Sequence, residues 1–158
     1  LHGEGIEGLL KFAKKKELLL YLIFPVMAGR WEENADMALT EEDVEYIDGL
    51  TKESPYIRTD FLANFGGYGC GAAKEILYLT PYGDVLTCPF LHIGFGNVKK
   101  SSLRDIRDRA LSLPQFATYH QSCLASTDRE FVSTSLSKVN EHKERPVPWA
   151  SIFTGDDK

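Results

Sequence analysis

Apolar residues recur at helical spacing from Gly5 to Lys16. Ile6, Leu9, Leu10 and Ala13 fall on one stripe, and Lys14, Lys15 and Lys16 close the last turn, where cations suit the helix dipole. The pattern then changes. "ELLLYLIFPV" is a continuous apolar run, which predicts a strand buried on both faces, as in a parallel sheet. "AGRWEENADMAL" is a polar loop. Thr40 and Asp43 form a capping box that opens a helix presenting Val44, Ile47 and Leu50, and "SPYIRTDF" returns to extended chain, because the residue before Pro55 is pushed out of the helical region. Helix, strand, helix, strand is the grammar of a parallel α/β layer. Two strands neither cover both faces of such a layer nor close a barrel, which takes about 250 residues.

"NFGGYGCGAA" begins a different regime. "EILYLTPYGDVLTC" alternates about a turn at residues 81 to 84, where Pro81 presets the first torsion and Gly83 frees the bend, so Ile76, Tyr78 and Val85 are expected on the arms of a β-hairpin. Asp84 reads as turn chemistry. "GFGN" reads as a loop leading to Ser102 and Asp105, a second capping box, and to a helix carrying Leu103, Ile106, Ala110 and Leu113 that Pro114 stops. A short helix is expected after Thr127, with Phe131, Val132 and Leu136 on its apolar face. "RPVPWASIF" reads as an extended segment packing through Trp149 and Phe153, and "TGDDK" as a frayed end.

Composition narrows the function classes. The chain has 158 residues, 43% of them hydrophobic, enough for one ordinary domain or a domain with an appendage. Its net charge of −5 is spread over interspersed acids and bases, which gives no nucleic-acid surface, and the lysine triplet reads as a solvated helix end. "KKKELLLYLIFPVMAG" imitates a signal peptide, but it starts inside the chain and contains Glu17. The run from Leu18 to Ala28 is too short to span a bilayer and holds Pro25. Leu1 in place of methionine suggests a piece of something longer. Three cysteines, an odd count, do not make a disulfide scaffold, so a cytoplasmic setting is expected and metal binding stays open.

Those cysteines carry the candidate chemistry. The hairpin puts Cys88 on the returning arm and Cys70 in the glycine-rich lead, so both sulfurs can meet at one end of the ribbon. Gly67, Gly69 and Gly71 would let backbone approach a bulky inorganic group. Cys123 follows 35 positions after Cys88, beyond a helix that would run back across the ribbon, and three thiolates could then cap one metal centre. Taken singly, each cysteine reads as a small buried apolar residue. Zinc is an alternative, with His92 or His120 completing a Cys3His set, although each histidine by itself reads as a surface or capping residue. Arg30, just beyond the buried strand, stands where α/β layers gather ligands and could hold a substrate carboxylate or phosphate, against the plainer reading of a solvated loop arginine. Tyr78, Tyr82, Phe90 and Phe95 could wall a cluster from water or simply pack a core. No nucleophile–base pair, phosphate loop or paired carboxylates stand out, and no catalytic residue is assigned.

The spacing also carries a resemblance. Cys70, twelve residues, Gly83, four residues and Cys88 resembles the opening signature of the SPASM and twitch auxiliary-cluster domains, which follow the barrel of many radical S-adenosylmethionine (SAM) enzymes. "PYGDVLTCPF" resembles the family's hairpin, "FGNVKKSSLRDI" its step into a capped helix, and "QSCLAS" stands where the distal ligand is expected. The resemblance covers roughly residues 60 to 130. It implies an α/β fold in three parts. Residues 1–62 would be the terminal units of a partial (β/α) barrel, 63–130 a small hairpin-plus-helix auxiliary-cluster domain, and 131–158 a C-terminal extension. It implies that Cys70, Cys88 and Cys123 ligate one 4Fe–4S cluster, which accepts or relays an electron or positions substrate. It implies partners as well: the missing N-terminal barrel portion, an electron donor, and a peptide or small-molecule substrate. The CxxxCxxC loop that binds the SAM cluster is absent, so this chain alone is expected not to cleave SAM, which belongs to a complete enzyme. "CLAS" replaces a late CxxC pair and leaves the fourth ligand unassigned. A zinc-stabilised module and a metal-free interaction domain remain as the rival readings.

Overall fold

The computed structural model describes residues 4–32, 34, 37–60 and 69–153. The expected boundary at residues 62 and 63, Gly67 and the terminal "TGDDK" lie outside the described residues. Helix α1 (Glu4–Lys16) buries Ile6, Leu10 and Ala13 and leaves Leu9 and Phe12 exposed. It ends at Glu17, which adopts a left-handed backbone (φ 53°) while the Leu18 N–H returns to Ala13 O at 2.9 Å. Strand β1 (Leu20–Leu22) pairs in parallel with β2 (Ile57–Thr59), Leu20 facing Ile57 and Leu22 facing Thr59. Helix α2 (Glu41–Glu53) connects them. Its expected capping box is present: Asp43 N–H donates to Thr40 Oγ1 (3.1 Å) and Thr40 N–H to Asp43 Oδ2 (3.0 Å).

The long apolar run departs from expectation. Only three of its residues form strand, and Leu18, Leu19, Tyr21 and Ile23 are exposed rather than buried on both faces, Ile23 at 77%. Among the described residues no further layer covers them: β1 and β2 form a two-stranded sheet, and the small core beneath it holds Phe24, Leu39 and Ile47, flanked by Leu22, Val44 and Tyr46. No closed barrel is present among the described residues. No helix among them is long and apolar enough to cross a membrane.

The second sheet has the order β3–β4–β5–β6. Strands β3 (Tyr78–Leu79) and β4 (Asp84–Cys88) form the predicted hairpin, and Asp84 closes its turn by accepting from Asn97 Nδ2 (2.9 Å) while its N–H donates to Thr80 Oγ1 (3.1 Å). Ile76 lies outside the strand, in an isolated bridge to Ala72. The "GFGN" segment is no loop. It belongs to β5 (Leu91–Asn97), antiparallel to β4. Its glycines are there for close approach: a Cβ at Gly96 would lie 2.9 Å from Ile106 Cγ1, and one at Gly94 3.3 Å from Pro146. Ile106 belongs to α3 (Leu103–Leu111), which Ser102 caps by accepting from Asp105 N–H at 3.1 Å.

Pro114 does not merely stop that helix. It starts α4 (Pro114–Ala117), whose fixed φ suits a first helical position. Helix α5 (Arg129–Phe131) then runs through a π-helical segment, Val132–Leu136, into α6 (Ser137–Asn140). The C-terminal stretch is extended only in β6 (Val147–Pro148), parallel to β5. Trp149–Phe153 is helix α7, because helical winding turns Ile152 and Phe153 into the core. Phe116 centres this core, edge-on to Phe95 (5.4 Å), Phe131 (6.0 Å) and Phe153 (6.0 Å). Residues 131–153 therefore share the core of the hairpin unit.

Three contacts strap the β1–β2 unit to this larger body. Met27 N–H donates to Ala125 O (2.9 Å), the Ser126 hydroxyl donates to Pro25 O, and Arg145 grips the Glu32 carboxylate through both guanidinium nitrogens, Nη2 to Oε2 at 2.9 Å. His92 Nδ1 lies 3.3 Å from the same guanidinium. Hydrogen-bonded Arg145 holds Glu32 below its ordinary value of 4.5, against the opposing effect of burial. Burial first, and then the Arg145 charge, hold His92 below 6.5. Both groups bind protons more readily in the unfolded chain. Stability is therefore expected to fall in two stages with acid, from about pH 6.5 through His92 and from about 4.5 through Glu32. Urea titrations across this range check it, with Glu32→Gln removing the lower stage, keeping the upper one and costing about 1–2 kcal/mol at neutral pH.

Candidate metal centre

Cys70 is buried, 6% exposed, and its position is set by backbone. Its N–H donates to His120 O at 2.7 Å in an isolated antiparallel bridge. The preceding Gly69 makes this approach feasible. Its φ is +107°, and a Cβ there would stand 2.2 Å from His120 O. This glycine therefore serves the docking of one protein segment on another, not an approach to an inorganic group. Gly71 has a different duty: its carbonyl accepts from the N–H groups of Lys74, Glu75 and Ile76, folding 71–76 into a compact turn tied to β4 by Ala73 N–H and Thr87 O (3.3 Å).

Cys88 ends β4 and faces Leu91 across the short connection to β5, just after two register shifts that alter the strand's course. The N–H groups of Phe90 and Leu91 point at its sulfur. Cys123 opens a tight turn: its carbonyl accepts from Ser126, Thr127 and Asp128 N–H (3.1, 3.0 and 2.9 Å), its own N–H donates to Thr127 Oγ1 (2.9 Å), and the Ala125 N–H points at its sulfur. Because His120 is three residues upstream, the Cys70–His120 bridge draws this turn beside the glycine loop.

All three thiols are free, and they lie within electrostatic reach of one another. Burial, and then the charge of Cys70, push Cys88 up to about 11, against the Phe90 and Leu91 N–H groups that favour the thiolate. Burial, Cys70, Cys88 and Asp60 push Cys123 up further, against the Ala125 N–H. Cys88 and Cys123 thus resist ionising by themselves, and a cationic core beside them would reverse that.

The geometry also bears on which core. Among the described residues no three His, Cys, Asp or Glu side chains gather tightly enough to hold one metal ion. A zinc ion with bonds of about 2.3 Å to sulfur needs its thiolates within roughly 4 Å of each other. A sulfide-bridged cluster spreads its ligands wider, and amide N–H groups directed at the sulfurs are a lever such clusters use. The donor set, three free thiols with amide N–H groups directed at two of the sulfurs, suits an iron–sulfur cluster. Of the two histidines, His92 joins the Glu32–Arg145 strap, whereas His120 turns Nδ1 toward Asp128 at 3.9 Å and keeps Nε2 without a hydrogen-bond partner.

Other candidates stand apart. Arg30 is exposed on a single 3₁₀ turn, Gly29–Trp31. Tyr78, Tyr82 and Phe90 are exposed and wall nothing off, whereas Phe95 packs in the core. A cleft of about 620 Å³ opens beside the Cys123 turn, between α4 and the π-helical segment. Two buried polar atoms in residues that line it, His120 Nε2 and Gln115 Oε1, have no hydrogen-bond partner.

The family model for SPASM, an iron–sulfur cluster-binding domain, matches residues 70–125. Over this span the chain is similar to that family. The match opens on Cys70, encloses Cys88 and closes two residues past Cys123, which implies iron–sulfur cluster binding in a radical SAM-type context. No curated protein and no solved structure gives a match to the chain.

Two residues of the SPASM-type site escape sequence reasoning, Asp60 and Lys74. Asp60 lies at the end of β2 and accepts from Phe24 N–H (3.3 Å), and only the folding of the first unit against the second turns its charge on Cys123. Lys74 sits in the 71–76 turn, where "AAKE" gives no hint of its surroundings. Gly69→Ala is expected to cost about 2 kcal/mol or more, since strained torsion and backbone collision act together. Denaturant unfolding measures the cost, and loss of iron uptake by a still-folded variant would trace it to the Cys70–His120 bridge.

Proposed function

We propose that the chain is the auxiliary-cluster-bearing C-terminal part of a radical SAM enzyme, with Cys70, Cys88 and Cys123 binding one 4Fe–4S cluster. The observation that carries this reading is that three free cysteines, close enough to influence one another's ionisation, all fall inside the span that matches an iron–sulfur family. Bound there, the cluster would supply a one-electron acceptor or relay, or an open iron for substrate. The protein's own residues do the rest. The Phe90, Leu91 and Ala125 N–H groups stabilise thiolate sulfur, and the buried turn around Cys123 limits water. Three cysteines leave one ligand position for substrate, solvent or a donor from elsewhere.

In the same proposal residues 1–62 are the last α/β units of a partial barrel. The parallel β1–β2 pair supports this, as do Leu18, Leu19, Tyr21 and Ile23, exposed on a segment whose apolar run suits burial on both faces. The rest of the barrel would cover them and bring SAM, its cluster and substrate, with Arg30 beyond β1 available to a substrate anion. A low-potential electron carrier would complete the cytoplasmic system. The chain as given has no CxxxCxxC and is expected not to cleave SAM by itself.

Anaerobic reconstitution tests the reading. It is expected to give a brown protein with about four iron and four sulfide per chain and broad visible absorption. Serine at Cys70, Cys88 or Cys123 is expected to abolish or strongly reduce loading. Colourless protein holding one zinc would favour the zinc-stapled rival. Wild-type stability in a triple-serine variant, with no metal taken up, would favour a metal-free interaction module.

A further inference from the structure

The 71–76 turn holds a lysine at the rim of the cysteine site, and neither the sequence pattern nor the family match assigns it a role. Lys74 Nζ donates to Ala72 O (3.2 Å), two residues from Cys70, and to Phe116 O (2.9 Å). It also stands 5.2 Å from the centre of the Tyr119 ring. The turn is itself clamped by Arg107, whose Nε and Nη2 donate to Ala73 O and Lys74 O (3.0 and 3.1 Å). Two carbonyls and an aromatic face thus fix the ammonium in place, where a solvent-facing lysine would swing freely. Such immobilisation is unneeded for solubility, and burying part of a cation is unfavourable unless something nearby repays it. The two carbonyls repay part of it. Burial lowers the Lys74 pKa, and negative charge at Cys70 or Glu75 acts in the opposite direction.

We infer that Lys74 is a positioning residue for the cluster's electrostatics: its fixed ammonium beside Cys70 favours the more negative, one-electron-reduced state. This rests on the cluster reading above. When an oxidised cluster takes one electron from a low-potential donor such as dithionite, its net charge becomes more negative by one, with no bond made or broken. A stationary positive charge nearby stabilises that product more than the reactant and raises the midpoint potential. No mobile counterion reproduces this, because the ammonium is already held by Ala72 and Phe116 before the electron arrives.

The test is a redox titration of the reconstituted full chain, followed by electron paramagnetic resonance, with Lys74→Arg, Lys74→Gln and Lys74→Met. Glutamine keeps a donor for the carbonyls and drops the charge, and it covers the case in which methionine fails to fold. The neutral variants are expected to reduce about tenfold less favourably, a shift of about 59 mV to more negative potential for a one-electron couple, with iron content unchanged. Arginine is expected to stay near wild type. A loaded neutral variant with the wild-type midpoint would overturn the inference, and so would an arginine variant shifted as far as glutamine. A wild-type chain that takes up no iron and sulfide would instead overturn the cluster reading, and this inference with it.

Discussion

Placing three sulfur donors together in a poorly hydrated corner is electrostatically unfavourable as soon as more than one ionises. The rest of the site is organised around that constraint. Backbone N–H groups from Phe90, Leu91 and Ala125 offset part of the cost, and one lysine brings a full positive charge to the rim. What remains uncompensated is what a cationic core would satisfy. A buried cysteine kept only for its volume needs no amide directed at its sulfur and no second and third cysteine alongside.

The means of convergence is backbone rather than side chain. Cys70 and Cys123 are far apart in sequence, and a β-bridge between Cys70 and His120 joins their loops, possible only because Gly69 lacks a Cβ. Cys88 arrives by a separate route, at the end of a strand whose register shifts twice before it. Each sulfur is thus positioned by an element with its own independent support. The α3 helix seats on Gly96, and the phenylalanine cluster around Phe116 shares one core with Cys70 and Cys123. The path of the chain around the cysteines is therefore set by strand, turn and backbone contacts.

How much of this the sequence discloses depends on whether the cause is local. Thr40 with Asp43 and the Pro-Tyr-Gly-Asp turn state their structure within four residues, and both form as read. The family likeness is legible because the spacing from Cys70 to Cys88 encodes hairpin length, and the matching span holds all three cysteines. The misreadings have long-range causes. "GFGN" looks like a loop because glycines usually break strands, yet these make room for Ile106 and Pro146, which no local pattern announces. "RPVPWASIF" looks extended through its prolines, but Ile152 and Phe153 reach the core only by helical winding. Lys74 and Asp60 acquire their meaning solely from what folds against them.

The exposed β1 segment is the same lesson in reverse, since there the sequence knows more than the fold displays. A run such as "LLLYLIF" is suited to burial on both faces, and the two-stranded sheet gives it neither. Apolar side chains on a sheet edge invite pairing with any available strand, and soluble proteins usually blunt such edges with charge or proline. Here Pro25 comes only after the run and Glu17 only before it. A segment left so open is economical in a chain whose neighbour is always present and hazardous in one that works alone. Leu18, Leu19, Tyr21 and Ile23 thus carry a demand for cover that the described part of the fold leaves unmet, and that demand is written in packing alone.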